Sequence, residues 1–159
     1  MLGAFAVGKT SLVRQYVDSI FSDKYLTTVG VKIDSKPVKL GRTEVNLILW
    51  DLQGENAFRE TRLSYLRGAS GHIIVADGTR PTTLDAALEI AAGVRDLHPG
   101  VARVLLLNKA DLVREWTVPK AAAEDLAAQG WNVLRTSAKS GEGVEQAFLA
   151  LTRMMLEGS

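Results

Sequence analysis

Residues 3–11 read Gly-Ala-Phe-Ala-Val-Gly-Lys-Thr-Ser, a complete G-x-x-x-x-G-K-[ST] pattern. Its two glycines allow a tight turn whose backbone N–H groups point inward around the phosphates of a nucleotide. Lys9 supplies a positive charge to the β- and γ-phosphates, and the Thr10 hydroxyl can ligate Mg²⁺. A glycine-rich turn that only caps a helix is the alternative for the loop alone. The nucleotide-binding residues predicted from this loop are Gly3, Ala6, Val7, Gly8, Lys9, Thr10 and Ser11.

A second polar element, Asn108-Lys109-Ala110-Asp111, follows the apolar run Val104 to Leu107. A carboxylate such as Asp111 can accept hydrogen bonds from both N1–H and the exocyclic amine of guanine, a donor pair that adenine lacks. Lys109 can lay its aliphatic stem over the base, and Asn108 can tie this element to the phosphate-binding loop. A polar turn that closes a strand is the alternative. The sequence therefore favours a guanine nucleotide over an adenine nucleotide.

A third element, Thr136-Ser137-Ala138-Lys139, follows the last apolar run of strand length. It can offer the backbone N–H of Ala138 to the guanine O6, and we predict that Ser137, Ala138 and Lys139 belong to the nucleotide site. Taken alone, this element is a common loop.

The stretch Leu49 to Gly54 ends an apolar strand with Asp51 and places a glycine three residues later. Asp51 can hold Mg²⁺ through water, while the Gly54 N–H can meet a γ-phosphate. This D-x-x-G pattern is weak alone and gains weight because it follows a phosphate-binding loop.

Composition sets wide limits on the function. The 159 residues include 19 basic and 18 acidic side chains and no cysteine, which gives a net charge of +1. Such balance gives no electrostatic reason to expect a nucleic acid or an anionic membrane as partner. No apolar run reaches the roughly 20 residues that a membrane span requires. We expect one soluble, cytoplasmic domain over residues 1–159.

Apolar runs of strand length alternate with segments of helical period, which is typical of an α/β sheet covered on both faces. A hairpin turning at Gly41-Arg42 is predicted, and Pro37 requires its first strand to lie at the sheet edge. Only Met1 and Leu2 precede the phosphate-binding loop, so the first strand is expected to be truncated at the N-terminus. The predicted strands are Val31–Leu40, Glu44–Trp50, Gly71–Ala76, Val101–Leu107 and Asn132–Arg135, and the predicted helices are Lys9–Asp18, Ala57–Leu66, Leu84–Leu97, Pro119–Ala128 and Val144–Leu156.

Four motifs carry a resemblance to a known family: the phosphate-binding loop, the D-x-x-G pattern, residues 108–111 and residues 136–139. Their order and spacing resemble the Ras superfamily of small GTPases, and most of all its Rab-like branch. The resemblance covers essentially the whole chain. It implies a P-loop NTPase G domain with a six-stranded, mostly parallel sheet, one antiparallel edge strand and helices on both faces. It also implies GTP or GDP and Mg²⁺ as cofactors. By this resemblance, Thr28 ligates Mg²⁺ and senses the γ-phosphate, and Phe21 lies against the guanine edge.

The resemblance also implies partners. Trp50 and Tyr65 match two members of the aromatic triad that binds Rab effectors, and Ile33 occupies the third place, which is usually Phe. Ordinary partly buried packing is the alternative for both aromatics. We expect an effector, an exchange factor and an activating protein at the two switch segments, Asp23 to Lys32 and Gly54 to Leu66. No lipid anchor is expected on this chain, because it carries no cysteine.

The sequence departs from the family at Glu55, which stands where the water-orienting Gln is usual, while Gln53 lies two residues earlier. A carboxylate about 5 Å from a γ-phosphate oxygen would feel roughly 3 kcal/mol of repulsion at an effective dielectric of about 20. Glu55 could swing out to solvent, take up a proton and act as a base, or be replaced in its role by Gln53. We predict turnover at or below about 10⁻⁴ to 10⁻² per second without a partner.

A second departure is Phe5, which stands beside the γ-phosphate where the best-known members of the family place Gly or another small residue. Its ring would crowd an arginine finger that arrives from another protein, although Phe5 could equally pack on switch II.

The sequence thus predicts a GTP-binding switch that slowly hydrolyses GTP. Lys9, Thr28, Gly54, Glu55 and Gln53 are its candidate catalytic residues, and Thr10, Thr28 and Asp51 its candidate Mg²⁺ ligands. A nucleotide-loaded scaffold that hardly hydrolyses GTP is the alternative. An ATP-using enzyme is disfavoured by Asn108, Lys109 and Asp111.

Overall fold

The computed structural model describes residues 1–24, 30–52 and 63–158 of the chain. These ranges contain six strands and five helices. The strands are β1 (Leu2–Gly3), β2 (Val31–Leu40), β3 (Thr43–Leu52), β4 (Gly71–Asp77), β5 (Ala102–Asn108) and β6 (Asn132–Arg135). The helices are α1 (Lys9–Asp18), α2 (Leu63–Leu66), α3 (Pro81–Leu97), α4 (Lys120–Ala128) and α5 (Val144–Glu157).

Four parallel strands form the centre of the domain in the order β1-β4-β5-β6. Strands β4 and β5 are near-continuous apolar runs because both faces of the sheet are covered. Ile73 and Val75 of β4 join the core beneath α1 and α5, whereas Ile74 and Ala76 join the core beneath α3. The α/β fold with helices on both faces is therefore confirmed.

Strands β2 and β3 form a separate antiparallel pair in the described residues. The sequence predicted one continuous six-stranded sheet, and the structure differs because β1 is only two residues long and, among the described residues, pairs with β4 alone. The backbone nitrogen of Met1 donates to the carbonyl of Trp50 at 2.6 Å, which places β1 beside the end of β3.

The hairpin turns at Gly41 and Arg42, as predicted, and Gly41 takes a φ of +60° that suits a residue without a Cβ. Pro37 lies opposite Asn46 on β2. Among the described residues β2 pairs with β3 only, so the predicted edge position of Pro37 is confirmed.

The starts of two helices differ from the prediction, and the smaller difference is in α4, which begins at Lys120, one residue after the predicted Pro119. Helix α3 begins at Pro81, three residues early, because the fixed φ of proline suits the first helical position. The residues that directly precede α3 and α4, Arg80 and Pro119, form no side-chain capping hydrogen bond. The Thr83 hydroxyl instead donates to the carbonyl of Arg80 at 2.7 Å. Of the predicted helix Ala57–Leu66, residues 57–62 lie outside the described residues.

The two helices on one face of the sheet meet through aromatic packing. The rings of Tyr16 on α1 and Phe148 on α5 stack with their centroids 3.8 Å apart. In the described ranges no helix is both long and apolar enough to span a membrane.

Candidate nucleotide-binding site

A cavity of about 300 Å³ lies at the carboxyl ends of the parallel strands, where loops from separate parts of the chain meet. In parallel α/β sheets, ligands bind at this edge. Eleven of the residues that the sequence assigned to the nucleotide line it: Ala6, Gly8, Lys9, Thr10, Ser11, Phe21, Asn108, Lys109, Asp111, Ala138 and Lys139. The structure therefore brings together residues that lie up to 133 positions apart in the sequence.

The phosphate-binding loop follows β1 and leads into α1, and its two glycines are required by space as well as by conformation. A Cβ on Gly3, whose φ is +145°, would lie 2.3 Å from the carbonyl oxygen of Val75. A Cβ on Gly8, whose φ is +100°, would lie 2.4 Å from Nδ2 of Asn108. Ala6 also has a positive φ of 58°, a conformation that costs free energy for a residue with a side chain and tends to occur at functional sites.

Lys9 is folded back over this loop. Its Nζ donates to the carbonyl of Gly3 at 3.0 Å and to the carbonyl of Ala4 at 2.9 Å. The side chain is largely buried but lines the cavity. Its positive charge is therefore held at the place where the sequence predicts phosphates.

Thr10 and Asp51 approach each other although they come from α1 and β3. The Thr10 hydroxyl donates to Oδ2 of Asp51 at 2.5 Å, and Asp51 is fully buried. A hydroxyl and a carboxylate are the hard oxygen ligands that Mg²⁺ prefers, alongside water and substrate phosphates. The donor set thus fits the magnesium site predicted for these two residues.

Asn108 joins three segments around the cavity. Its Nδ2 donates to the carbonyl of Val7 at 3.0 Å, and its Oδ1 accepts from the Thr136 hydroxyl at 3.2 Å and from the Ala138 N–H at 3.3 Å. The side chain is buried, so each of these bonds would be costly to lose. Asn108 links the two loops as predicted. The Ala138 N–H that was assigned to guanine O6 is directed at Asn108 in this structure.

The residues predicted to recognise the base are oriented by their neighbours. The Ser137 hydroxyl donates to Oδ1 of Asp111 at 2.6 Å, which fixes the carboxylate that was predicted to read guanine. Across the cavity, the Lys139 ammonium lies 6.0 Å from the centre of the Phe21 ring and 3.6 Å from a carboxylate oxygen of Asp23.

Four predicted site residues do not line the cavity: Gly3, Val7, Asp51 and Ser137. Thr28, Gln53, Gly54 and Glu55, which were also predicted to belong to the site, lie outside the described residues.

Next to the site lies a buried carboxylate, Asp77, that was not predicted from the sequence. Asp77 ends β4 with no exposed surface, and its Oδ2 lies 2.7 Å from Nζ of Lys109 and 2.9 Å from Nε of Arg80. Burial alone would raise the pKa of Asp77, but hydrogen bonds from Lys109, Thr79 and Arg80 outweigh it and hold the pKa below its usual value. Its signal was an acidic residue that directly follows an apolar strand, the same pattern that identified Asp51.

The three residues matched to the effector triad also come together. Ile33 on β2 lies opposite Trp50 on β3, and the Trp50 ring lies 5.9 Å from the ring of Tyr65. All three side chains are exposed. They form an apolar surface at the end of the hairpin nearest the site, which we call the hairpin surface.

Comparisons with known proteins agree with this geometry. The profile of the Ras family matches residues 1–157. The chain is 34% identical to the Ras-related protein Rab-4 of Dictyostelium discoideum over 98% of its own length and 77% of the relative. It is 34% identical to the GTP-binding protein ypt1 of Schizosaccharomyces pombe, over 99% of this chain and 78% of that protein. With the mouse Ras-related protein Rab-21 it shares 35% identity over 99% of its length and 72% of the relative.

These relatives favour a hydrolysing switch over a nucleotide-loaded scaffold, because the family consists of GTPases. The chain belongs to the Ras family, and it is a Rab-like GTP-binding switch protein and GTPase.

Proposed function

We propose that the cavity holds the nucleotide with its phosphates along residues 3–11 and its guanine between the loops that follow β5 and β6. The observation that carries this arrangement is the position of Asn108, whose buried side chain bonds to the phosphate-binding loop on one side and to the loop after β6 on the other. The fixed carboxylate of Asp111 supplies the selection for guanine over adenine.

We propose Thr10 and Asp51 as the residues of this chain that hold Mg²⁺, together with Thr28. When bound, the ion would neutralise charge on the β- and γ-phosphates. The Lys9 ammonium adds a second positive charge, and its bonds to the loop carbonyls keep it in place before the nucleotide arrives.

The hydrolytic step requires a water in line with the γ-phosphate and little covalent chemistry from the protein. Gln53, Gly54 and Glu55 are the residues that we propose at this water. A charged Glu55 would repel the γ-phosphate, and we therefore expect slow turnover in the absence of a partner.

The hairpin surface is the place where we propose that an effector reads the bound nucleotide. Loss of the γ-phosphate would release Thr28 and the Gly54 N–H, and segments 23–32 and 54–66 would relax. An exchange factor and an activating protein would act on the same two segments. Our proposal for the place of action is the cytoplasm.

The test is a single-turnover assay in which the purified protein is loaded with GTP and Mg²⁺ and conversion to GDP is followed by chromatography. We expect conversion at or below about 10⁻² per second. Thr10→Ala should lose most of the Mg²⁺-dependent conversion, whereas Thr43→Ala, an exposed threonine in the hairpin, should not. Equal rates for Thr10→Ala and the wild type would contradict the assignment of Thr10.

The same assay with Glu55→Gln tests whether the Glu55 carboxylate lies at the attacking water. If the carboxylate repels the γ-phosphate, removal of its charge should raise the rate by up to about a hundredfold. An unchanged rate would mean that Glu55 does not lie at the water. GTP that persists for hours in the wild type would place hydrolysis under the control of a partner.

A further inference from the structure

One contact at the phosphate-binding loop is explained neither by the sequence motifs nor by nucleotide chemistry. A terminal guanidinium nitrogen of Arg80 donates to the carbonyl of Phe5 at 3.0 Å. Arg80 immediately precedes α3 and lies 75 positions from Phe5, so the contact joins two distant parts of the chain.

The same guanidinium has a second partner. Its Nε donates to Oδ2 of Asp77 at 2.9 Å, and that oxygen is also 2.7 Å from Nζ of Lys109. Two further hydrogen bonds, from the backbone N–H and the hydroxyl of Thr79, hold the other carboxylate oxygen at 2.9 and 2.7 Å. Asp77 is fully buried and held from several sides, so it acts as a fixed anchor for both cations.

The two cations lead to two different loops that line the nucleotide cavity. Lys109 lines the cavity in the element that the base-selection argument assigned to guanine, and Phe5 lines it within the phosphate-binding loop. A planar guanidinium can bond to Asp77 and Phe5 at once because its donors point along fixed, separate directions. The chain Lys109, Asp77, Arg80 and Phe5 is therefore a continuous polar connection between the two loops.

We propose that Arg80 is a positioning residue that holds the phosphate-binding loop at Phe5 and couples it, through Asp77, to Lys109. This role of Arg80 rests on the proposed placement of the nucleotide in the cavity. Release of GDP requires the two loops to loosen, and the connection makes loosening of one loop depend on the other. Arg80 does not line the cavity, so its effect passes through the backbone of Phe5.

The test measures dissociation of a fluorescent GDP analogue from the intact protein by displacement with excess GDP. Arg80→Ala should accelerate dissociation roughly tenfold, the effect of one lost charge-assisted hydrogen bond at a half-exposed site. Arg80→Lys should accelerate dissociation less than Arg80→Ala does, because an ammonium can bond to one of the two partners but lacks the planar fork. Arg95→Ala, which removes an exposed arginine at the other end of α3, should leave the rate unchanged.

A double-mutant cycle distinguishes coupling of the two loops from a role of Arg80 in stability alone. If Asp77 connects the two cations, Arg80→Ala should accelerate dissociation less in a Lys109→Ala background than in the wild type. An additive cycle would overturn the coupling, and a rate for Arg80→Ala within twofold of the wild type would overturn the positioning role. Binding of the analogue to the wild type is measured first. Failure at that step would reject the proposed site, whereas failure of the cycle would reject only the role of Arg80.

Discussion

The parallel sheet and the β2-β3 hairpin belong to one domain, but they contribute to the site in different ways. Residues 72–77 of β4 are all buried, and the strand ends at Asp77, which pairs with Lys109, the lysine that we propose to lie over the base. The hairpin alternates between more buried and more exposed side chains, and only at its end does it bury Asp51, a residue of the proposed magnesium site. The parallel sheet therefore holds the polar groups of the cavity in fixed positions, while most of the hairpin provides surface.

The largest effect should follow from Asn108→Ala, which removes the hydrogen bonds that join the end of β5 to the phosphate-binding loop and to the loop after β6. The substitution leaves the Val7 carbonyl and the Thr136 hydroxyl without their buried partner, each costing about 1–3 kcal/mol. We expect GDP affinity to fall by at least about a hundredfold and the free energy of unfolding to fall by about 2–3 kcal/mol. Calorimetric titration and urea unfolding measure the two quantities.

Asn46→Ala is the matched control for this substitution, since Asn46 lies exposed in the hairpin opposite Pro37. It should change the free energy of unfolding by less than about 0.5 kcal/mol and leave GDP affinity unaltered. Equal effects of the two asparagine substitutions would remove the distinction between the two regions.

The same contrast explains what the sequence could predict. Fixed spacing and buried apolar runs identify the phosphate-binding loop, Asn108 and Asp111, because local backbone geometry determines where such residues lie. The sequence indicated a short β1, because only Met1 and Leu2 precede the phosphate-binding loop, but it did not indicate that, among the described residues, β1 would pair with β4 and leave the hairpin as a separate pair. The connection through Arg80 was hidden as well, because a side-chain contact between residues 75 positions apart leaves no local pattern.

A smaller effect, confined to acidic conditions, should come from His72 in β4. The His72 side chain is 3% exposed, and its ring stacks on that of His98 with centroids 5.7 Å apart. Burial, with smaller contributions from the N-terminal amine, His98 and Arg103, lowers the pKa of His72 from 6.5 to about 4.

The sign of the pH dependence follows from that shift. Between pH 6.5 and 4 the unfolded chain takes up a proton that the folded protein resists, so stability falls as the pH is lowered through this window. We expect His72 to account for a loss of about 2 kcal/mol between pH 7 and 4.5, and His72→Phe to abolish that part of the loss. Urea unfolding at the two pH values measures it. The same pH dependence in His72→Phe and the wild type would show that His72 does not titrate in this way.

The smallest effect should come from Ile48 on the exposed face of β3, where the side chain is 53% exposed. Ile48→Thr keeps the β-branched shape that favours a strand, so the free energy of unfolding should change by less than about 0.5 kcal/mol, with GDP dissociation unaltered. Leu49→Ala, one residue along on the buried face, is the contrast, because it removes packed side-chain volume from the core. Ile48→Thr costing as much as Leu49→Ala would mean that the outer face of the hairpin is covered by other parts of the protein. If only Leu49→Ala is costly, the alternation along β3 separates the two roles of this strand, since every second residue supports the core and the residues between them remain open to a partner.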